Sequence, residues 1–393
     1  MERLIKNAFL VEESGAFFSD VLVRDGKIAA IGKNLSGVGE VIDAGGLTLL
    51  PAFVDLHCHF RDPGYTHKED IESGCRAAAK GGYTAVNLMA NTNPVCSDMK
   101  TVRYVQQKAQ QIGLVEVHQC VSVTKNFDGR TIDHLKSLDE TVRLISEDGK
   151  GVMSNLVMAQ AMEIAREKGL TVLSHAEDME LSPIDYRLAE NIATVQHIHL
   201  AQYLGVRLHM CHVSTKEAME EIIRAKKAGV PVTCEVAPHH LWFCDSDYRV
   251  NPPIRAKEDR EFLIRSIQNG YVDAIATDHA PHTQKDKENG APGMVGLETA
   301  FAVCYTRLVR ERGLPLTLLS RLLSAAPARI LGLNKGRLLP GYDADFALVD
   351  EKREWKVQAA DFASKGKNSP FDGICLQGKV VQTIKAGKTT WQE

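Results

Sequence analysis

No apolar run in this chain approaches the roughly 18 residues needed to cross a bilayer. The opening stretch, MERLIKNAFLVEESGAF, carries Glu2, Glu12 and Glu13 and has no apolar core followed by a small-residue cleavage site, so no secretory signal is read there. The nine cysteines are an odd number and form no CxxC pair; scattered thiols fit a reducing cytoplasm better than a disulfide framework. Neither sign of charge dominates. With 47 Lys+Arg against 50 Asp+Glu the formal net charge is −3, which gives no reason to expect a nucleic-acid or membrane-surface partner. There is no low-complexity segment, no GxGxxG and no P-loop. What is present is 393 residues, 44% of them apolar, enough to bury a large core.

The first fifty residues read as short strands (LIKNAFLV, FSDVLV, KIAAIG, EVIDAG, LTLL), with Asp25-Gly26 as a hairpin turn. The other end is similar: DADFALVD, KVVQTIKAG and KTTW follow the turn-rich GRLLPGY. Two β segments flanking a different pattern predict that the termini meet and build one small sheet domain, from 1–50 and 331–393. Between them, over 51–330, eight apolar strand-like runs recur: AFVDLHCHF, TAVNLMANT, VEVHQCVSVT, TVRLISEDG, LTVLSHAED, VRLHMCHVST, VPVTCEVAPHH and VDAIATDHAPH. Amphipathic stretches such as TKEAMEEIIRAKKAG separate most of them, several stopping at a Gly suited to a C-terminal cap. Eight βα units predict an α/β fold, a (β/α)8 barrel. A doubly wound open sheet is the alternative. The barrel is favoured because the unusual polar residues all fall at the C-terminal ends of strands, where a barrel keeps its active site.

The strongest feature is Asp55-Leu56-His57-Cys58-His59-Phe60-Arg61. Strand side chains alternate, so His57, His59 and Arg61 point one way and Cys58 and Phe60 the other. Two imidazoles one strand-step apart can hold a metal ion; a pair of ordinary buried histidines is the bland reading. Other strand ends carry further ligand types: Asp148, His175, His212 and Asp278. Four histidines and two aspartates exceed one tetrahedral site, so two metals sharing a bridging carboxylate is the simplest count, with zinc suited to these ligands and manganese or cobalt able to substitute. The polar loop PHTQKDKENGAPG after the last strand reads either as a solvated surface loop or as a mobile lid, residues 283–291, over the barrel mouth.

DLHCHFRDPG, the Asn91-Thr92-Asn93-Pro94 segment, HVST, NPPIR and TDHAPH together resemble the dihydroorotases of the amidohydrolase superfamily, the bacterial class I type, along the whole chain. The resemblance implies a small β-sandwich domain built from both termini beside a metal-dependent hydrolase barrel. It implies reversible cyclisation of N-carbamoyl-L-aspartate to L-dihydroorotate in pyrimidine synthesis, and a homodimer. It implies that His57, His59 and Asp278 hold one metal and His175 and His212 the other. The bridge would come from an SDDG-like motif, here Ser146-Glu147-Asp148-Gly149; Asp148 is assigned to it, with Glu147 and a carboxylated Lys150 as alternatives. Two cations would make a bridging water a hydroxide near neutral pH, with Asp278 as proton shuttle. Arg61 suits the substrate carboxylate, and the resemblance adds Asn91 and His282 to that clamp, Asn251 to the ring, and the backbone around Pro292-Gly293; for Asn251 a turn role before two prolines is the alternative. His239-His240 and His279 read as structural or supporting groups, and His67, His118, His134, His197, His199 and His209 match no motif. Hydantoinases, dihydropyrimidinases and allantoinases are the nearest rival activities. A metal-free structural partner of a transcarbamoylase is the rival from another class.

Overall fold

The computed structural model describes residues 2–37 and 39–393. Eight short parallel strands occupy the middle of the chain: β1 Phe53–Cys58, β2 Tyr83–Leu88, β3 Glu116–Gln119, β4 Leu144–Ser146, β5 Thr171–Ser174, β6 Leu208–Met210, β7 Val232–Val236 and β8 Ala274–Ile275. Strands β1 to β3 pair in order, as do β4 to β8. Two single bridges join the runs: Val121 pairs with Ile145 and Cys58 with His279, both parallel. The ring therefore closes in sequence order, as a (β/α)8 barrel requires.

The connecting helices begin and end where the local chemistry dictates. The helix Ile71–Lys80 starts at Asp70, whose side chain accepts from the Ser73 amide in a capping box. The helices Met99–Ile112, Asn155–Lys168 and Tyr186–Leu204 stop at Gly113, Gly169 and Gly205, each left-handed, as a glycine C-cap allows. Between β3 and β4 the crossover holds only two short 3-10 turns, Lys125–Phe127 and Asp133–Ser137. The main apolar core lies between strands and helices; Cys58 and Phe60 belong to it. A Cβ at Gly74 would stand 2.5 Å from the Phe60 ring, so the helix after β1 can approach the strand end only with glycine there.

Both termini enter one further sheet, in the order Lys388–Gln392, Cys375–Lys385, Phe346–Lys356, Thr48–Pro51, Glu2–Glu12, Gly15–Arg24, Lys27–Gly32, with Glu40–Asp43 branching off Glu2–Glu12. Asp25-Gly26 make its tight hairpin turn, at φ 49° and 76°. This terminal domain folds around its own core, Ile5, Leu10, Val21 and Leu49 from the first end, Phe346, Leu348 and Ile384 from the last. No helix among the described residues is long and apolar enough to cross a membrane.

Candidate metal centre and active site

The ligand-type residues lie at or just past the strand ends. His57 is the penultimate residue of β1, His175 follows β5 directly, and Asp148, His212 and Asp278 sit in the turns beyond β4, β6 and β8. The β1–β2 register shifts between Asp55 and Cys58, on either side of His57. Arg61, His212 and Asp278 hold left-handed backbone angles of 58°, 32° and 47°, a conformation that costs energy in a non-glycine residue and concentrates at functional sites.

Asp148 is the hub. Its Oδ1 lies 3.2 Å from His57 Nε2, 3.3 Å from His175 Nδ1 and 3.7 Å from His212 Nε2, and its Oδ2 lies 3.6 Å from His59 Nε2. Asp278 Oδ1 lies 3.2 Å from His59 Nε2 and 3.6 Å from His57 Nε2. All six predicted ligands thus meet in one place. Glu147 does not join them: its carboxylate accepts from the Thr124 amide at 2.9 Å and from the Thr124 hydroxyl. Lys150 is exposed.

Three of the four rings are held by their outer nitrogens. His57 Nδ1 donates to Glu235 Oε1 at 2.9 Å, His59 Nδ1 to Asn91 Oδ1 at 2.9 Å, and His175 Nε2 to Glu177 Oε2 at 2.7 Å. These bonds turn the inner nitrogens toward Asp148 and Asp278, and the inner Nε2 of His57 is buried with no hydrogen-bond partner. Asp55, Asp148, Glu177, Glu235 and Asp278 are all buried, and none has a Lys or Arg partner among the described residues. Buried negative charge needs compensation. Burial would lower the His175 pKa, but hydrogen bonds to Asp148 and Glu177 push it up to about 10: the pocket draws positive charge in. Its donor set of imidazole and carboxylate fits divalent metal, and the combinations His57–Asp148–His212 and His57–His59–Asp278 each bring ligand atoms within 4.8 Å of one another.

Beside the cluster a cavity of ≈ 210 Å³ is lined by His59, Arg61, Asn91, Asp148, His175, Asn251, Asp278, His282, Pro292 and Gly293. Every residue assigned to substrate from the sequence reaches it. Arg61 has no ion-pair partner among the described residues; its Nη2 donates to His282 Nε2 at 3.4 Å. Burial, then the Arg61 charge, hold His282 neutral with a pKa of about 3. Its proton is therefore on Nδ1, which is buried and unpartnered. The Asn91 amide is engaged by both His59 and Asp148, the latter at 3.1 Å. Asn251 donates to Glu177 at 2.9 Å, so it is more than a turn residue.

Sequence reasoning missed Glu235, Glu177 and Asp55. Glu177 stands two residues beyond His175 and was within reach of a pattern search; Asp55 opens the His57-Cys58-His59 motif but was given no role, and Glu235 lies in a strand with no motif to mark it. His279 turns away from the cluster, its Nδ1 accepting from the Gly296 amide at 3.1 Å. His240 bonds the Pro252 carbonyl at 3.0 Å. His209, unassigned from the sequence, bonds Glu235 at 3.0 Å.

A closed barrel with buried imidazole and carboxylate groups converging at its C-terminal mouth defines a metal-dependent hydrolase, and the model of the amidohydrolase family matches residues 48–390. The chain is 50% identical to the dihydroorotase of Clostridium botulinum (strain Eklund 17B / Type B) over 398 positions, covering all of both chains. It is 39% identical to the dihydroorotase of Halalkalibacterium halodurans over 423 positions, covering 100% of this chain and 99% of the other. Among solved structures, the L-hydantoinase (dihydropyrimidinase) from Arthrobacter aurescens superposes with a TM-score of 0.90 at 28% identity, over 98% of this chain and 95% of that one. The chain belongs to the dihydroorotases of the amidohydrolase family.

Proposed function

We propose that this enzyme interconverts N-carbamoyl-L-aspartate and L-dihydroorotate, using a pair of divalent metals held by His57, His59 and Asp278 on one side, His175 and His212 on the other, and Asp148 between them. The observation that carries the reading is the position of the Asp148 carboxylate, within 3.7 Å of all four histidines. Zinc is the metal these ligands suit best. When bound, the metals supply Lewis acidity, lowering the pKa of a water and polarising the ring carbonyl.

The protein's own groups do the rest. In ring opening, water oxygen bonds to the carbonyl carbon, the carbon–nitrogen bond breaks, and Asp278 takes the water proton and returns it to the departing nitrogen. Asp278 lines the cavity with its Oδ1 3.2 Å from His59 Nε2, and nothing among the described residues donates to its Oδ2. Arg61 and His282 receive the substrate carboxylate. Asn251 and the Pro292-Gly293 backbone border the ring. Asn91 contributes to that clamp while fixing His59 and Asp148. The barrel, 51–330, is the hydrolase unit, and 1–50 with 331–393 form the appended domain. The nine free thiols support a cytoplasmic setting.

The homodimer belongs to the same reading. Helix Tyr186–Leu204 exposes Leu188, Ile192 and Tyr203, with no charged residue from 191 to 204; such a stripe is complementary to a second copy of itself. Light scattering should find a dimer that Ile192→Glu splits; a monomeric parent rejects it.

Assaying dihydroorotate, hydantoin and dihydrouracil side by side tests the activity. Turnover of the first alone is expected. Preference for either of the others transfers the chain to the hydantoinase-like activities, and a purified protein without bound metal favours a non-catalytic partner.

A further inference from the structure

Beside the six assigned ligands lie buried acids that hold them by hydrogen bonds. Glu235, on β7, is 1% exposed and makes three contacts. It accepts from His57 Nδ1 at 2.9 Å, from His209 Nε2 at 3.0 Å and from the His212 backbone amide at 3.3 Å. His209 is tied in turn to Thr233 Oγ1 at 2.8 Å. Glu177 touches His175 alone among the ligands, through Nε2. Asp55 ties the His57 amide to Thr277, next to Asp278.

The contacts of Glu235 differ from those of the other acids in one respect: they reach ligands assigned to both metals. A carboxylate on the outer nitrogen of a metal-binding histidine fixes its tautomer and orientation. Here the same carboxylate also accepts the amide of His212, whose backbone sits at φ 32°, a conformation that needs outside support. We propose that Glu235 is a positioning residue that locks His57 and His212 together, so that both halves of the metal pair depend on it. The inference rests on the metal assignment above, and it gives a strand with no recognisable motif a defined part in the site.

The test compares Glu235→Gln with Glu177→Gln in the metal-loaded enzyme. Glu235→Gln keeps the side-chain volume but leaves one acceptor oxygen where three donors converge. The release of metal into excess chelator is followed by a colorimetric indicator, with apo-protein unfolding measured alongside. Glu235→Gln should speed the release of both metals by about 10–100-fold, while Glu177→Gln accelerates only one. If Glu235→Gln does not fold, Glu235→Asp, which retains the charge but retracts it, should give the same pattern. Unchanged release, or loss confined to one metal, overturns the inference while leaving the metal assignment standing. A wild-type enzyme that takes up no metal overturns the assignment itself, and this inference with it.

Discussion

In the proposed mechanism Asp278 has two duties, ligand and proton carrier, and its backbone lies at φ 47°. Asp278→Asn keeps the shape and removes the base. It should lower kcat by about 10²–10⁴-fold, the range for lost acid–base help, with the thermal transition retained; kinetics beside a melting curve check this, and retained turnover removes Asp278 from the chemistry. Arg61 lies at the cavity wall with no carboxylate partner among the described residues. Arg61→Met should raise KM by about 10–100-fold, the equivalent of the ~1.5–3 kcal/mol carried by hydrogen bonds to charged groups, and an unchanged KM excludes the clamp. The six ligand-type residues were legible in the sequence because strand alternation and strand-end position are local properties. Glu235 and Asp55 were not: their meaning depends on which strand lies beside which, and only the closed barrel brings Glu235 of β7 against His57 of β1.

Among the elements, the loop after β8 is the one whose behaviour bears on turnover. Residues 283–291 contain a helix, Gln284–Glu288, with a Thr283–Asp286 capping box. Lys287 Nζ donates to the carbonyls of Arg249, Ala291 and Gly293 at 2.9, 2.8 and 2.8 Å, which anchors the helix beside Pro292-Gly293 at the cavity. If this element closes over substrate, Lys287→Met should raise KM and open 283–291 to protease while costing no more than about 1 kcal/mol of global stability. Equal KM and equal cleavage reject the lid. The strands and most helices could be read from periodicity and glycine caps. The crossover between β3 and β4 could not, since its two 3-10 turns have no helical repeat to recognise.

At the scale of the whole molecule, the terminal sheet and the barrel meet around Lys335. This buried ammonium lies 2.7 Å from Asp345, 3.0 Å from Asp343 and 3.3 Å from Glu116 of β3. Burial alone would raise the Glu116 pKa, but a hydrogen bond from His118 and the Lys335 charge hold it at about 2, against an ordinary 4.5. A carboxyl lowered on folding stabilises the native state above its unfolded pKa. That contribution is complete above about 4.5 and lost as the pH falls through about 2. Wild type should therefore lose stability across this window more steeply than Lys335→Met, which starts lower because its acids have lost their cation; parallel denaturation curves at several pH values check it, and equal slopes refute it. That the two ends would share a domain was legible from their β-rich composition. The ionic joint between that domain and the barrel was not, because its charges lie far apart in sequence.

Six side chains from five strand ends are proposed to grip a pair of metals about one aspartate. Anomalous diffraction at the zinc edge from zinc-loaded crystals tests this arrangement most directly. Two peaks are predicted, each within coordination distance of one Asp148 oxygen and of two of the histidines. A single peak, or two peaks that Asp148 does not touch, would contradict it.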